Sequence, residues 1–340
     1  QVHDFAENGR PNAYFSDDPY PRDCHYGVIN SRDRDILRRA GLLDAGLHLI
    51  PNHVEPLGIA SKTTFPTELV LYPVRAIKRK NIGEALFISL FSPPGRTLAI
   101  TLPPTSPADL PTYRRWRRVR WDHHPPVLFE AARQYTFSDL VGAAACMLTT
   151  SITEGFGFAF LEPWTVRRLL TGRRIDHVCR DFETSGLALD HLYPRILIPL
   201  NAFDLHRFSH QWQTLFARHC AKFQMNTDAD ALTGAFHSIL ENDEIDFAYL
   251  NEAAQEQVLR RVLADDALKR EIMSRNPFLE DIVRTLEPER RIRQNRDAVM
   301  RRYHRSVHRG QLMDSYEAVI RTPVRHAIDK KILAGQFLSP

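Results

Sequence analysis

Residues 69–172 alternate short apolar runs with stretches of helical spacing, and this alternation constrains the fold more than any other feature of the chain. The runs at 69–74, 97–102, 127–130 and 145–148 are short and bounded by turn residues, as buried strands are. Between them lie an apolar segment at 85–91, a segment at 113–121 with Tyr113, Trp116 and Val119 at helical spacing, and a short stretch behind the capping residue Ser138. Strands separated by helices pair in parallel, because only a long crossover brings the chain back to the same edge. The expected fold class is therefore α/β, a doubly wound parallel sheet with four strands in this part of the chain. Ligands of such sheets sit at the carboxyl ends of the strands.

The last of these strands leads into Ser151-Ile152-Thr153-Glu154-Gly155-Phe156-Gly157-Phe158 and on to Glu162, Pro163 and Trp164. Phe158, Phe160, Leu161, Val166, Leu169 and Leu170 are spaced as a helix ending at Gly172, bent by Pro163 after its first turn. A strand, a glycine-bearing turn and a helix start form an anion and sugar site, since free backbone N–H groups point outward there and the helix dipole adds positive charge. Glu154 can accept hydrogen bonds from sugar hydroxyls, and Glu162 suits the paired hydroxyls of a ribose. The plainer readings are a capping box formed by Ser151 and Glu154, and a solvated helix position for Glu162. Against the second, Thr165 and Val166 offer Glu162 no basic partner, and Phe160, Leu161 and Trp164 surround it.

A second cluster follows the first strand. Arg75, Lys78, Arg79 and Lys80 precede Asn81 and Glu84, which carry a helix-capping signal. Arg75 and Lys80 would bracket that helix start, where fixed positive charge stabilises a leaving diphosphate. A basic run is more commonly a solvated face.

The stretch from Glu154-Gly155-Phe156-Gly157 to Leu161-Glu162 resembles the signature of retaining glycosyltransferases of the two-Rossmann GT-B architecture, family 4 (group 1 type) in particular. Arg75 and Lys80 are similar to the Arg and Lys of the same family, in the right order. The resemblance implies two Rossmann-like domains facing a cleft. It implies that Arg75 and Lys80 hold the donor diphosphate and that Glu162 binds the ribose. Glu154, with the turn Gly155, Phe156, Gly157 and Phe158, would hold the transferred sugar. Family members also place a histidine beside that sugar after an N-terminal strand, and His3 is the matching candidate. The catalytic set so implied is Glu154, His3, Arg75 and Lys80. Relatives work without a metal or other cofactor beyond the nucleotide-sugar co-substrate, with Arg and Lys neutralising the leaving group.

The expected domain plan has three parts. Residues 1–66 hold about two βα steps and are expected to be a partial N-terminal, acceptor-side Rossmann-like domain with residues missing upstream. Residues 67–300 are the expected nucleotide-sugar-binding domain, with a helical elaboration at 228–290, and 301–340 are helices returning to the N-terminal part. Past Gly172 the chain departs from the family habit, and a strand is expected around Ile175 and Val178.

Composition agrees with an enzyme of this kind: 340 residues, 43% hydrophobic and 25% charged, suffice for two cores. A net charge of +4 is too small to argue for nucleic acid, and no nucleic-acid partner is expected. The expected partners are a nucleotide sugar and a carbohydrate, lipid or small-molecule acceptor. Arginine-rich stretches at 114–120 and 290–309 read as solvated helices, with single-stranded nucleic acid or anionic lipid as the alternatives for the first and anionic lipid or a phosphorylated acceptor for the second. Cys24, Cys146, Cys179 and Cys220 lack metal-type spacing and are expected to be reduced thiols, so the expected location is cytoplasmic or peripheral at the inner membrane face. Three rivals use the same features: a glycoside phosphorylase, a nucleotide-sugar epimerase and a non-enzymatic polyanion-binding module.

Overall fold

The computed structural model describes residues 20–60, 63–119, 127–282 and 288–338. His3 lies outside the described residues, as do Arg120 and Trp121 of the basic aromatic stretch.

The N-terminal part is a small unit in which β1 (Tyr26–Val28), α1 (Ser31–Arg39) and β2 (Leu47–Leu49) make one parallel crossover. Asn30 starts α1 because its side-chain oxygen accepts from the Asp33 N–H at 2.7 Å, a standard N-cap. A five-stranded sheet comes next in the chain. Its strands are β3 (Glu68–Arg75), β4 (Arg96–Leu102), β5 (Val127–Phe129), β6 (Ala144–Thr149) and β7 (Leu169–Gly172), all parallel in the order β5-β4-β3-β6-β7. The chain steps outward from β3 to β4 and β5, then returns across β3 to β6, so the topological switch lies between β3 and β6. Helices α2 (Ile82–Ser89), α3 (Leu110–Arg118) and α4 (Phe137–Ala143) make the crossovers. On one face Val70, Tyr72, Ile100 and Leu148 join the largest core, while Leu69, Leu71, Ala99 and Met147 face a second core under α4. Such two-sided burial explains the continuous apolar runs in the sequence.

Three expectations give way to the structure. The helix expected to run to Gly172 is only α5 (Glu162–Thr165), and Leu169 and Leu170 belong to β7, which makes the fifth strand. Pro163 can open a helix but not sit within one, Arg167 adopts a left-handed φ of 54°, and the apolar pair gains more by pairing with β6. The strand expected around Ile175 and Val178 is instead α6 (Asp176–Thr184), with Val178, Cys179 and Phe182 turned inward at helical spacing. The expected cap Ser138 is displaced by Thr136, which accepts from the Asp139 N–H.

After β8 (Leu197–Pro199), α7 (Leu205–Lys222) and α8 (Ala229–His237), the expected helical elaboration is interrupted by β9 (Leu240–Glu241) and β10 (Glu244–Asp246). Asn242 and Asp243, at φ 47° and 62°, form the two-residue turn that joins them, since both residue types tolerate positive φ. Helices α9 (Glu252–Ala264) and α10 (Asp266–Arg275) come after this hairpin, then α11 (Pro288–Arg302), α12 (Arg305–Arg321) and α13 (Lys330–Leu338). Leu333 of α13 packs in one small core with Val28, Ile36, Leu37 and Leu47, so the C-terminal segment completes the N-terminal unit. All four cysteines are unpaired. Among the described residues no helix is long and apolar enough to cross a membrane.

A buried ion cluster ties β7 to its surroundings. The Arg173 guanidinium donates to both oxygens of Glu84 and both of Asp246, each at 2.7 Å, and the Tyr193 hydroxyl donates to Glu84 at 2.6 Å. Glu84, expected to cap α2, is thus spent mainly on Arg173, although Asn81 still donates to it at 2.7 Å.

Candidate active site

Two turns meet at the carboxyl edge of the sheet, one after β3 and one after β6, on either side of the switch point. The first is a single 3₁₀ turn, Lys78–Lys80, followed by Asn81 in the left-handed region at φ 47°. That conformation is available to Asn at modest cost and reverses the chain into α2. The second strand holds the turn in place. Thr150 Oγ1 donates to the carbonyls of Lys80 and Asn81 at 3.0 and 3.1 Å, the Tyr72 hydroxyl donates to Lys80 O at 2.5 Å, and Ile152 N donates to Arg79 O at 3.0 Å. The backbone of one turn is therefore fixed by the other.

With the backbones fixed, the side chains converge. Lys80 Nζ donates to one oxygen of Glu154 and Arg79 Nη1 to the other. Burial would raise the Glu154 carboxyl, but Lys80 and then Arg79 more than offset it and hold it below the usual carboxylate range. Lys80 is pulled the other way: its burial lowers it further than Glu154 raises it. Pairing thus outweighs burial for Glu154 but not for Lys80. Glu162 stands close enough for Lys80 to act on it, yet burial wins and raises its carboxyl.

The capping-box reading of Ser151 and Glu154 does not hold, since no α-helix begins there. Gly157 takes φ 94°, and a Cβ at this position would lie 2.6 Å from Val178 Cγ1, so the turn needs glycine for both reasons. Beyond Gly157 the chain makes one 3₁₀ turn, Phe158–Phe160, and then the four-residue α5. The helix dipole expected at this point is therefore small. The amides of Phe156, Gly157 and Phe158 remain as donors, because none of them bonds to a described residue. Phe156 is buried edge-on against Phe158, Phe182 and Tyr303, whereas Phe158 is exposed.

Of the residues singled out in the sequence, Lys80, Glu154 and Glu162 thus come together with the turn Gly155, Phe156, Gly157 and Phe158. Arg75 stands exposed at the end of β3 with Nη1 3.4 Å from Pro103 O, directed along β4 rather than onto Glu154. Arg79, not singled out, supplies the second cation on Glu154. Its only sequence signal is membership of the basic run. The small N-terminal unit also reaches this site. Asn30 Nδ2 donates to Gly155 O at 2.9 Å, Ser31 N donates to Asp181 Oδ2 at 2.8 Å, and Arg32 Nη1 lies 3.4 Å from His177 Nε2. On the α2 side the Lys78–Asn81 turn borders a cavity of about 820 Å³ whose walls include Lys78, Asn81, Trp116, Ile152, Trp212 and Tyr249. Among the described residues no cluster of His, Cys, Asp or Glu is arranged to hold a metal ion.

The arrangement can grip an anion with two cations and three amides while offering two carboxylates to hydroxyl groups. No family model matches the chain. Among curated proteins it is similar to mannosylglucosyl-3-phosphoglycerate synthase of Petrotoga mobilis, at 25% identity over 244 residues. That match covers 63% of this chain and 47% of the relative, so the chain spans about half the relative's length. Similar solved structures include sucrose-phosphate synthase from Thermosynechococcus elongatus, at 15% identity and a TM-score of 0.45 over 86% of this chain and 58% of that one. Anabaena HepE in complex with UDP and glucose gives 10% and 0.45 over 86% and 62%, and a glycosyltransferase from Rickettsia africae gives 10% and 0.44 over 92% and 67%.

Proposed function

We propose that the chain carries the nucleotide-sugar site of a retaining GT-B glycosyltransferase of the family 4 type, moving a sugar from a nucleotide-sugar donor to a hydroxyl acceptor. The observation that carries this reading is the convergence of Lys80 and Arg79 on Glu154, beside the free amides of 156–158, at the switch point of a parallel sheet. The likeness to a synthase of a mannosylglucosyl compound supports it.

In this mechanism Lys80 and Arg79 turn from Glu154 to the donor diphosphate. The diphosphate offers Lys80 more negative charge than the single Glu154 carboxylate does. Arg75, at the same strand end, approaches the diphosphate from the solvent side. Glu154, freed from its cations, accepts hydroxyls of the transferred sugar, and Glu162 accepts those of the ribose. As the bond from the sugar C1 to the phosphate oxygen breaks, negative charge grows on the leaving phosphate, and the fixed cations and turn amides stabilise it there. The acceptor oxygen bonds to C1 on the same face, and its proton passes to the leaving phosphate, which keeps the anomeric configuration. No metal is needed for this charge balance.

The test is thermal stabilisation by a panel of nucleoside diphosphates and nucleotide sugars. A ligand that binds only the folded state raises the melting midpoint. One nucleotide should raise it in the parent protein and lose most of that effect in Glu162→Ala and Lys80→Ala. A midpoint indifferent to every nucleotide but raised by a polyanion would overturn the proposal.

A further inference from the structure

A groove of about 230 Å³ runs between α1 and α6, lined by Ser31, Arg32, Asp35, Arg39, His177 and Arg180. It joins the N-terminal unit to the segment after β7, at the same seam where Asn30 bonds to Gly155. The seam is basic for a definite reason. The acids near it are already engaged: Asp181 accepts from Ser31, Asp176 and Glu183 accept from Arg174, and Asp35 faces Arg38 at 3.5 Å. Arg32 and Arg180 form no ion pair with any described residue. Like charges brought together from two elements repel unless an anion joins them. Arg32 Nη1 instead lies 3.4 Å from His177 Nε2, and Asn30, next to Ser31 in the groove wall, donates to Gly155 O at 2.9 Å. The groove therefore adjoins, through Asn30, the turn that would hold the transferred sugar.

We infer that this groove seats the acidic end of the acceptor, a phosphate monoester or carboxylate bridging Arg32 and Arg180, with the acceptor hydroxyl reaching past His177 to the Glu154 turn. The anion's role as acceptor rests on the sugar-transfer reading; the anion site rests on the groove alone. Guanidinium groups fit this task because their planar forks bind oxyanions in two-point fashion. Two arginines from opposite walls would also draw α1 and α6 together, so a bound anion holds the N-terminal unit against the reaction turn.

The test is a thermal-shift titration with inorganic phosphate and with 3-phosphoglycerate, each against sodium chloride of equal ionic strength. Parent, Arg32→Ala, Arg180→Ala and Lys80→Ala proteins are compared, with nucleoside diphosphates titrated in parallel. The expected result is stabilisation of the parent and of Lys80→Ala by 3-phosphoglycerate, at least tenfold weaker apparent affinity in each arginine variant, and an unchanged nucleotide response in those two. Equal anion responses in parent and arginine variants would overturn the inference. So would loss of the response in Lys80→Ala, which would put the anion at the diphosphate turn, or a response no larger than that to chloride. Should no nucleotide stabilise the parent, the transferase reading fails while the anion result still decides the groove.

Discussion

Replacing Lys80 by alanine separates the two jobs assigned to this residue. In the free protein Lys80 shares Glu154 with Arg79, and its side chain is 13% exposed. Removing it leaves Glu154 paired with Arg79 and takes a mostly buried ammonium out of the protein. The stability change should therefore be small, about 1 kcal/mol in either direction, well below the ~3–5 kcal/mol typical of breaking a fully buried pair. Donor binding is another matter. A charge-assisted hydrogen bond to a diphosphate contributes about 1.5–3 kcal/mol, and tenfold in affinity corresponds to about 1.4 kcal/mol, so binding should weaken roughly ten- to hundredfold. Turnover should fall further, because the charge on the leaving phosphate grows in the transition state. Nucleoside diphosphate titrations followed by melting midpoint or calorimetry, beside the midpoint of the free protein, give both quantities. A variant that binds its nucleotide within twofold of the parent would refute the assignment of Lys80 to the diphosphate, whatever its activity.

Other consequences are open to measurement. Arg173→Met strands the carboxylates of Glu84 and Asp246 inside the protein and should cost roughly 3–5 kcal/mol in urea unfolding, with Glu84→Gln in the same chain recovering part of it; equal stabilities would contradict the cluster's role. Gly157→Ala meets both a φ of 94° and the Val178 methyl, so a loss of about 1–3 kcal/mol with impaired nucleotide-sugar binding is expected, and a neutral outcome would mean the turn can be rebuilt. His177 and His191 are held below their ordinary value of 6.5, by burial first and then by Arg32 and Arg291 respectively. Because the unfolded chain takes up these protons first, their contribution is complete above about pH 6.5 and declines as the pH drops below it, by up to about 1.4 kcal/mol per pH unit for each. A urea midpoint that stays flat from pH 7.5 to 5.5 would exclude this.

Much of the fold was legible because its causes are local. The apolar runs that became β3, β4 and β6 are buried on both faces, that of β5 at the sheet edge is partly buried, and no helical period competes with them. The short segments were illegible for the same reason in reverse: Leu169–Gly172 is four residues long, and only its pairing with β6 makes it a strand. In the site, Glu154 could be picked out because a glycine turn follows an apolar strand, and Lys80 by its likeness to a family motif. Which cation of 75–80 turns inward could not, since that depends on the left-handed Asn81 and on carbonyls held by Thr150. The contacts of Asn30 with Gly155 and of Ser31 with Asp181 join positions 125 and 150 residues apart and leave no pattern in the chain between them.

The small core shared by α1 and α13 bears on the order of assembly. Leu43 N donates to His326 Nδ1 across 283 residues, and Leu333 packs beside Leu37 and Leu47. On the ribosome, the strands of the five-stranded sheet all emerge well before the segment that completes the N-terminal unit. The sheet can therefore gather from contacts that close early, while β1 and α1 wait for the segment that covers their apolar faces. During that interval their apolar faces are open to non-native contacts.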